Sequence, residues 1–402
     1  MSAGGRGGPL GKLHRMDTTP MEPLRSRLPA SGTTIFTVMS ALAEKHGAVN
    51  LGQGFPDFPI DPQLVDLFTA AMKAGHNQYP PMAGLPALRE AIAGKVERLY
   101  GRQYDPGDEI TVTAGATQAI YTAITALAHP GDEVIVFEPA YDSYIPSIRL
   151  AGAVPVRVPL AFPGYHVDWP AVRRAVTPRT RLIVVNSPCN PGTSVLSAGD
   201  LRQLEALTRG TSILIVSDEV YEHLVFDGGR HEGMARSAEL AARSVVIGSF
   251  GKTFHATGWK VGYALAPRAI TAEFRRVHQF IVFTVSTPAQ HALAGFLKDP
   301  ARYEGLTAFF QAKRDLLREA LADTPLELLP GEGAYFQLAR YGRVSEERDE
   351  DFSKRLVRDY GVATIPLSVF YEDGTDNRVI RFCFAKRDET ILEGARRLRG
   401  LR

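Results

Sequence analysis

Short apolar runs alternate with helical patterns from Thr111 onward, and this alternation predicts strand-helix units around a largely parallel sheet. Because the runs are rich in Val and Ile, we expect both faces of the sheet to be covered. In such sheets ligands bind beyond the carboxyl ends of the strands, so polar residues there are the first candidates for a site. The predicted strands are Ile110 to Thr113, Glu133 to Phe137, Arg181 to Val185, Ile213 to Ser217, Val245 to Gly248 and Lys260 to Ala266.

Past about Pro288 the pattern changes to a long helical stretch and then to scattered short strands, such as Ala334 to Ala339 and Arg378 to Phe384. A chain of 402 residues also exceeds the size at which a single core keeps growing. The sequence therefore predicts two domains. We expect a large domain over residues 51–288, a small domain built from 32–50 with 289–402, and a flexible tail over 1–31.

Charge and cysteine content narrow the classes of partner. The 46 basic and 44 acidic residues are spread over the chain, which disfavours a nucleic-acid groove or a membrane-binding face. Cys189 and Cys383 are the only cysteines, too few for a disulfide framework or a thiolate metal cluster. The histidines show no metal-ligand spacing either, so we expect no metal. The start of the chain lacks the apolar stretch of a secretory signal, which favours a cytoplasmic protein.

Lys252 is the first candidate for chemistry. It lies in Ser-Phe-Gly-Lys-Thr, just after the strand Val245 to Gly248, where an amine can project into a cleft above the sheet. Gly-Lys-Thr also suggests a phosphate loop, but that motif needs glycine five residues before Gly251, and this position is Val246. The Gly-Gln-Gly stretch that ends at Gly54 is too short for a dinucleotide fingerprint. Nucleotide-binding functions are therefore disfavoured.

Asp218 ends the run Ile-Leu-Ile-Val-Ser-Asp, which places a carboxylate at the mouth of a buried strand. An unpaired charge would be costly there, so Asp218 needs a cationic partner. Tyr221 would lie one helical turn further on if a short helix begins at this point. Asn190 lies in a turn between two prolines, after the strand Arg181 to Val185. Its side-chain amide could donate a hydrogen bond to a ligand that binds next to Asp218.

An anion site is predicted next to these residues. Gly-Ala-Thr, ending in Ala116 and Thr117, follows a strand and opens an apolar helix, so its backbone N–H groups form a helix N-terminus suited to phosphate. Ser249 and Lys260 flank Lys252 in sequence and could add a hydroxyl and a cation. Arg381 lies within an otherwise apolar strand, where its guanidinium fork suits a substrate carboxylate.

A lysine, an acid for a pyridine nitrogen, donors for a ring oxygen, a phosphate cradle and a cation for a carboxylate are the parts that pyridoxal 5'-phosphate chemistry requires. The sequence offers a candidate for each part. It therefore predicts pyridoxal 5'-phosphate as cofactor, carried by Lys252 as a Schiff base. Asp218 would pair with the pyridine nitrogen, and Asn190 and Tyr221 would hold the ring oxygen.

Four motifs occur in an order that resembles the class I/II aminotransferases of the fold type I family, and most closely their kynurenine, glutamine and methionine branch. They are Asn-Leu-Gly-Gln-Gly-Phe-Pro-Asp-Phe from Asn50, Asn-Gln-Tyr from Asn77, Ser-Asp-Glu-Val-Tyr from Ser217 and Ser-Phe-Gly-Lys-Thr-Phe-His-Ala-Thr-Gly-Trp-Lys-Val-Gly-Tyr from Ser249. The resemblance runs from about Gly32 to the C-terminus. It implies an α/β fold with a mostly parallel seven-stranded sheet between helices, plus a smaller α+β domain.

The resemblance also implies further roles. Tyr141 would stack on the cofactor ring, Gly54 would give the substrate carboxylate a backbone contact, and Tyr79 would reach the phosphate in the neighbouring subunit of a homodimer. Many members of the wider family have arginine where this chain has Lys260. The phosphate would therefore be held by a compact ammonium group rather than by the two-pronged guanidinium of arginine.

These residues together predict an aminotransferase that exchanges an amino group between an amino acid and a 2-oxo acid by a ping-pong mechanism. Phe55, Tyr141 and Phe283 suggest an apolar to aromatic side-chain pocket, which favours methionine, glutamine, phenylalanine or kynurenine over aspartate. A carbon-sulfur β-lyase acting on cysteine conjugates is the alternative within the same chemistry. A non-catalytic regulator that senses the cofactor is disfavoured, because the tail is too short for a DNA-binding domain.

Overall fold

The structure is a computed structural model that describes Met1, residues 24–29 and residues 32–402. Most of the predicted tail, 1–31, therefore lies outside the described residues. The helices are α1 (Ile35–His46), α2 (Pro62–Lys73), α3 (Pro86–Tyr100), α4 (Gly115–Leu127), α5 (Tyr144–Leu150), α6 (Trp169–Ala175), α7 (Ala198–Thr208), α8 (Ala238–Ala241), α9 (Phe250–Thr253), α10 (Arg268–Ile281), α11 (Thr287–Phe296), α12 (Ala301–Glu304), α13 (Leu306–Ala320), α14 (Asp349–Arg355) and α15 (Asp388–Leu398).

The strands are β1 (Val49–Asn50), β2 (Ile110–Thr113), β3 (Glu133–Glu138), β4 (Val154–Pro159), β5 (Thr180–Asn186), β6 (Leu214–Asp218), β7 (Ser244–Ser249), β8 (Gly262–Leu265), β9 (Glu327–Leu328), β10 (Phe336–Arg340), β11 (Val362–Ala363), β12 (Ile365–Pro366) and β13 (Val379–Cys383). Short 3₁₀ turns cover Met234–Arg236, Thr257–Trp259 and Ser368–Phe370, and a π-helical turn covers Leu356–Tyr360.

The central sheet has seven strands in the order β2-β8-β7-β6-β5-β3-β4. Neighbouring strands from β7 to β4 are parallel, whereas β8 is antiparallel to both β7 and β2. The predicted mostly parallel α/β sheet is thus confirmed. The sequence pattern missed β4, an edge strand in which one residue of six is buried and two are prolines, so it lacks the apolar signature of the buried strands.

Most predicted strand boundaries differ from the observed ones by one or two residues, and the start of β8 is the one that bears on the site. The sequence pattern placed Lys260 at the start of a strand, but β8 begins at Gly262. Lys260 instead follows the 3₁₀ turn Thr257–Trp259 in the left-handed conformation, with φ of 55°. The alternating apolar pattern could not reveal this turn, which moves the Lys260 side chain off the sheet and toward the start of α4.

The central sheet is covered on both faces, as expected. Alternate residues of each central strand enter two different apolar cores. Ile135, Ile183 and Ile215 pack into one core, and Val136, Val184 and Val216 pack into the other. The second core is closed by α4, α5 and α10, which contribute residues such as Ile124, Ile148 and Phe274.

Segments from both ends of the chain pack together beside this sheet. A four-stranded antiparallel sheet has the order β12-β13-β10-β9, and β1 pairs in parallel with β11. Helix α1 contacts β11 and β12, whereas α11 packs on α2 and α3. The division into domains at residues 50 and 288 stays a prediction, and α11 crosses the second of these boundaries.

Three strands of the central sheet end side by side with polar residues. Asn186, the last residue of β5, pairs in register with Asp218, the last residue of β6, and β7 ends next to them at Ser249. The parallel register therefore brings the predicted polar groups to one edge of the sheet. Within the part of the chain that the structure describes, none of the helices has the length and apolar character needed to cross a membrane.

Candidate active site

A cavity opens at this edge of the sheet, between the ends of β5, β6 and β7 and the start of α4. The predicted cofactor contacts line it, with the exception of Tyr79. The lining residues are Gly115, Ala116, Thr117, Ile120, Tyr141, Asn186, Asn190, Asp218, Val220, Tyr221, Ser249, Gly251, Lys252, Thr257, Lys260 and Val261. No group of three or more His, Cys, Asp or Glu side chains that could hold a metal ion occurs among the described residues.

Lys252 lies on α9, the single helical turn that follows β7. Its Nζ donates hydrogen bonds to the carbonyl of Gly54 at 3.0 Å and to the hydroxyl of Tyr335 at 2.7 Å. Burial lowers the pKa of Lys252 to about 8. The amine therefore exchanges protons near neutral pH, a property that suits both covalent chemistry and proton transfer.

Asp218 is buried at the end of β6. Its Oδ2 accepts a hydrogen bond of 2.6 Å from the hydroxyl of Tyr144. Burial raises the pKa of Asp218 to about 6, and the hydrogen bond from Tyr144 opposes that shift. A carboxylate in this environment gains most from a cationic ligand, because such a ligand restores the interactions that burial removed.

Asn190 and Tyr221 reach the cavity from two loops. The side chain of Asn186 connects these loops, because its Oδ1 accepts from the Asn190 backbone at 2.7 Å while its Nδ2 donates to the Asp218 carbonyl at 2.9 Å. Tyr221 lies in a turn rather than in the short helix that the sequence suggested. Burial raises the pKa of Tyr221, so its hydroxyl stays protonated and can donate a hydrogen bond.

The start of α4 forms an anion cradle. The Ala114 side chain cannot cap this helix, and among the described residues no side chain accepts from the N–H groups of 115–117, so these groups remain free for a ligand. A Cβ at Gly115 would lie 3.5 Å from Nζ of Lys260, and a Cβ at Gly262 would lie 3.2 Å from the backbone nitrogen of Ala116. The two glycines thus keep open the space between the helix N-terminus and the Lys260 amine. Thr117 and Ser249 add hydroxyls to the same cavity.

Arg381 projects from β13 and is fully buried. One of its terminal nitrogens donates to Oδ1 of Asn190, and its guanidinium lies 3.9 Å from the centre of the Phe336 ring. Nε of Arg381 is buried and has no hydrogen-bond partner among the described residues. A buried cation with an unused donor is expected to bind an anion, because a carboxylate satisfies both its charge and its hydrogen bonds.

The remaining predicted residues occupy different surroundings. Tyr141 lines the cavity, and burial raises its pKa. Gly54 contacts Lys252 through its carbonyl, and the neighbouring Phe55 is 45% exposed. Phe283 and Tyr79 pack edge to face on each other at 5.6 Å, and neither of them lines the cavity of its own chain. Tyr79 is 83% exposed.

Several residues that complete the site escaped sequence reasoning. Tyr144 holds Asp218, Tyr335 holds Lys252, and Phe336 lies under Arg381. Phe36 and Phe370 add two more rings, each 5.4 Å from the same guanidinium. Tyr144 carried a weak signal, since it lies three residues after Tyr141. The others come from segments distant in sequence, and nothing in their local pattern marks them.

Comparison with known proteins gives a consistent result. The profile of the family described as aminotransferase class I and II matches residues 46–398. The methionine aminotransferase of Escherichia coli K12 is 49% identical over 387 residues, which cover 96% of this chain and 100% of that protein. Kynurenine--oxoglutarate transaminase 1 of mouse is 35% identical, and the alignment covers 89% of this chain and 92% of that one.

Solved structures agree with the sequence comparison. The crystal structure of the Escherichia coli protein, described as having a methionine aminotransferase function, has a TM-score of 0.92 at 49% identity over 95% of this chain and 100% of that chain. The N-succinyldiaminopimelate aminotransferase of Mycobacterium tuberculosis has a TM-score of 0.91 at 41% identity over 94% of this chain and 100% of that chain. Both therefore share its fold along nearly its whole length.

Proposed function

Because this chain belongs to the class I and II aminotransferase family, we propose that it uses pyridoxal 5'-phosphate to move the amino group of an apolar, aromatic or sulfur-containing amino acid to a 2-oxo acid. The family itself is dependent on this cofactor, and the chain is an enzyme of that family. The observation that carries the proposal is the convergence of Lys252, Asp218 and the α4 cradle on one cavity.

The residues of the cavity fit the cofactor. The cradle at Gly115 and Gly262 has room for a phosphate, next to free helix N–H groups and the Lys260 amine. Asp218 offers a buried carboxylate for the pyridine nitrogen, and Asn190 and Tyr221 offer donors for the ring oxygen. Pyridoxal 5'-phosphate supplies an electron sink for the α-carbon of the amino acid and a carrier for its amino group.

The protein supplies orientation and proton transfer. We propose that Nζ of Lys252 would hold the cofactor covalently and, once free, would take the proton from the substrate α-carbon and deliver it to the cofactor carbon that carries the transferred amino group. Its lowered pKa suits both directions of this transfer. Arg381 would bind the substrate carboxylate as a fork, and the backbone of Gly54 would give the same carboxylate a further contact. Tyr141 would pack against the cofactor ring and exclude water from one face.

Aromatic rings near Arg381 support the proposed substrate class. Phe36, Phe336 and Phe370 surround its guanidinium, and Phe55 adds a partly exposed ring close to Gly54. A pocket of this kind favours apolar or sulfur-containing side chains over a second carboxylate. The relative of 49% identity is a methionine aminotransferase, which supports methionine as the first substrate to test.

A homodimer would give the exposed aromatic residues a role. Phe280 is 87% exposed and Tyr79 is 83% exposed, and Phe283 packs on Tyr79. Exposed aromatic side chains grouped in this way are typical of interaction surfaces. We propose that this surface contacts a second copy of the chain, that Tyr79 reaches the partner's phosphate, and that Phe283 contributes to the partner's substrate pocket. A cytoplasmic location remains a prediction of the sequence.

The test is a product assay on the purified enzyme with pyridoxal 5'-phosphate. Methionine with a 2-oxo acid should give the amino acid that corresponds to the oxo acid, and aspartate should be a poor donor. Formation of pyruvate and ammonia from a cysteine conjugate, without an oxo-acid acceptor, would identify the β-lyase instead. Absence of both reactions across apolar, aromatic and sulfur-containing donors would contradict the proposal.

A further inference from the structure

Tyr335 contacts the amine of Lys252 from the other side of the cleft. Its hydroxyl lies 2.7 Å from Nζ, and the same hydroxyl donates to the carbonyl of Gly54, which itself lies 3.0 Å from Nζ. A phenol carries one proton, and here that proton points at the carbonyl. Toward Lys252 the hydroxyl therefore presents a lone pair. The amine faces two acceptors, an arrangement that favours its protonated form.

The position of this hydroxyl is fixed by the protein. The Tyr335 ring is fully buried and packs edge to face on Tyr221, with ring centres 4.9 Å apart, and on Phe336 at the same distance. Its backbone carbonyl accepts a hydrogen bond of 3.0 Å from the Phe384 N–H. The ring cannot follow the lysine side chain as that side chain moves. The hydroxyl is thus a stationary partner for a mobile amine.

The protonation state of the pair supports the same role. Burial raises the pKa of Tyr335 well above its ordinary value, so the phenol keeps its proton throughout the physiological range. Burial acts on Lys252 in the opposite direction and lowers its pKa to about 8. The Tyr335 hydroxyl and the Gly54 carbonyl oppose the lowering of the Lys252 pKa, because each of them accepts a hydrogen bond that stabilises the ammonium form.

We propose that Tyr335 is a positioning residue for the reacting amine: with the Gly54 carbonyl it receives Nζ of Lys252 whenever that amine is not attached to the cofactor. This inference rests on the proposed function. It gives the released amine one defined place, from which it can accept a proton from the substrate and later attach to the cofactor again. Loss of the hydroxyl would leave the amine with the Gly54 carbonyl as its one acceptor among the described residues.

The experiment uses apoenzyme, prepared by removing the cofactor, and follows attachment of pyridoxal 5'-phosphate to Lys252 by visible absorbance and borohydride trapping between about pH 5 and 10. Attachment requires the neutral amine, so its rate rises with pH and its midpoint reports the Lys252 pKa. Tyr335→Phe keeps the ring and removes one acceptor of the ammonium. The midpoint should fall by about one pH unit, so at low pH attachment should become roughly tenfold faster.

Tyr341→Phe is the matched control. Tyr341 is also buried, and its hydroxyl donates a hydrogen bond of 2.7 Å to the backbone carbonyl of Glu347. Lys252 takes no part in this hydrogen bond. Its midpoint should equal that of wild type. A Tyr335→Phe midpoint unchanged from wild type would overturn the proposal, even with the overall function intact. Failure of wild-type apoenzyme to attach the cofactor at any pH would overturn the proposed function as well.

A second replacement guards against misfolding of the phenylalanine variant. Incorporation of 3-fluorotyrosine at position 335 leaves the ring shape nearly unchanged but makes the hydroxyl a weaker acceptor. The midpoint should move in the same direction by a smaller amount. A midpoint that stays in place, or that rises, would overturn the positioning role.

Discussion

The hydroxyl of Tyr144 donates a hydrogen bond of 2.6 Å to the carboxylate of Asp218, and both side chains are buried. The contact joins the first turn of α5 to the end of β6. It orients the carboxylate at the mouth of the strand and favours its charged form against the burial that raises the pKa of Asp218 to about 6. A tyrosine from a neighbouring helix therefore tunes the acid that we expect to hold the pyridine nitrogen.

Tyr144→Phe should weaken cofactor binding in a manner that depends on pH. Removing the hydrogen bond should raise the pKa of Asp218 by about one unit, because a bond to a charged group is worth roughly 1.5 kcal/mol or more. The affinity for pyridoxal 5'-phosphate should fall several-fold at pH 6 and less at pH 8, where the carboxylate is charged again. Equilibrium titration of the apoenzyme measures both values.

Tyr104→Phe provides the comparison for this variant. Tyr104 is buried too, but its hydroxyl has no hydrogen-bond partner within the described part of the chain. Its removal should leave cofactor affinity unchanged at both pH values. An equal loss in the two variants would contradict a specific role for Tyr144.

Asp218→Asn should stabilise the apoenzyme above pH 6 while weakening cofactor binding. The pKa of Asp218 is raised to about 6 in the folded protein, against about 3.9 for an unfolded chain. Because the folded state binds the proton more tightly, stability from this group is present below the unfolded pKa and is lost as pH rises through the folded pKa. The neutral amide avoids that loss.

The expected gain at pH 8 is about 3 kcal/mol in the free energy of unfolding, and it should shrink toward pH 5. Urea unfolding of both apoproteins at the two pH values measures it. The cofactor should raise the stability of wild type far more than that of the variant. An apoprotein variant that is less stable than wild type at pH 8 would contradict this expectation and would show that the hydrogen bond from Tyr144 outweighs the cost of burying the charged carboxylate.

Gly262→Ala should close the anion cradle. Its Cβ would lie 2.7 Å from the Gly248 carbonyl oxygen and 3.2 Å from the backbone nitrogen of Ala116. The backbone around this position must then shift, which disturbs the space between the helix start and Lys260. The affinity for pyridoxal 5'-phosphate should fall by at least about tenfold, which corresponds to the loss of one or two charge-assisted hydrogen bonds. Inorganic phosphate should also stabilise the apoenzyme of this variant less against unfolding than it stabilises the wild-type apoenzyme.

Gly258→Ala is the matched control in the turn that precedes β8, since a Cβ there meets no atom of the described residues within 4 Å. It should bind the cofactor as wild type does. If both alanine variants retain full affinity, the phosphate binds elsewhere and the cradle assignment is wrong.

Arg381→Lys should raise KM for the amino acid far more than it lowers kcat. A lysine keeps the charge but loses the planar fork and the stacking on Phe336. We expect KM to rise about 10- to 100-fold, which matches the loss of one charge-assisted hydrogen bond. Steady-state kinetics with methionine measures the split between the two constants.

Arg378→Lys removes a neighbouring arginine that pairs with Glu346 near the surface. Its KM should stay within about twofold of wild type, because exposed ion pairs contribute little. A KM unchanged in the Arg381 variant would show that another cation binds the substrate carboxylate.

The sequence predicted most of the site because of one geometric rule. Asn190 and Lys252 each follow a buried parallel strand and Asp218 ends one, and the carboxyl ends of such strands meet at one edge. Apolar patterning locates those strands, so it also locates the residues that follow them. The helix that begins at Gly115 and contains Ala116 was predictable in the same way, because it also follows a buried strand.

What the sequence could not predict depends on tertiary packing. Tyr335 and Phe336 come from the other sheet and reach the site only because β10 lies across the cleft. Tyr144 lies on helix α5, and the orientation of that helix about its axis determines that the Tyr144 hydroxyl reaches Asp218. Lys260 was placed in a strand because apolar residues follow it, whereas a left-handed turn aims it at the helix start. The local pattern of apolar and polar residues does not determine these orientations.

The visible absorbance spectrum of the purified protein tests the central claim most directly. Wild type should show the band of lysine-bound pyridoxal 5'-phosphate; methionine should convert it to the band of the aminated cofactor, and a 2-oxo acid should restore it. Lys252→Ala should lack the lysine-bound band and fail to complete the cycle. A wild-type protein without this band after incubation with the cofactor, or a Lys252→Ala variant that cycles as wild type does, would contradict the account.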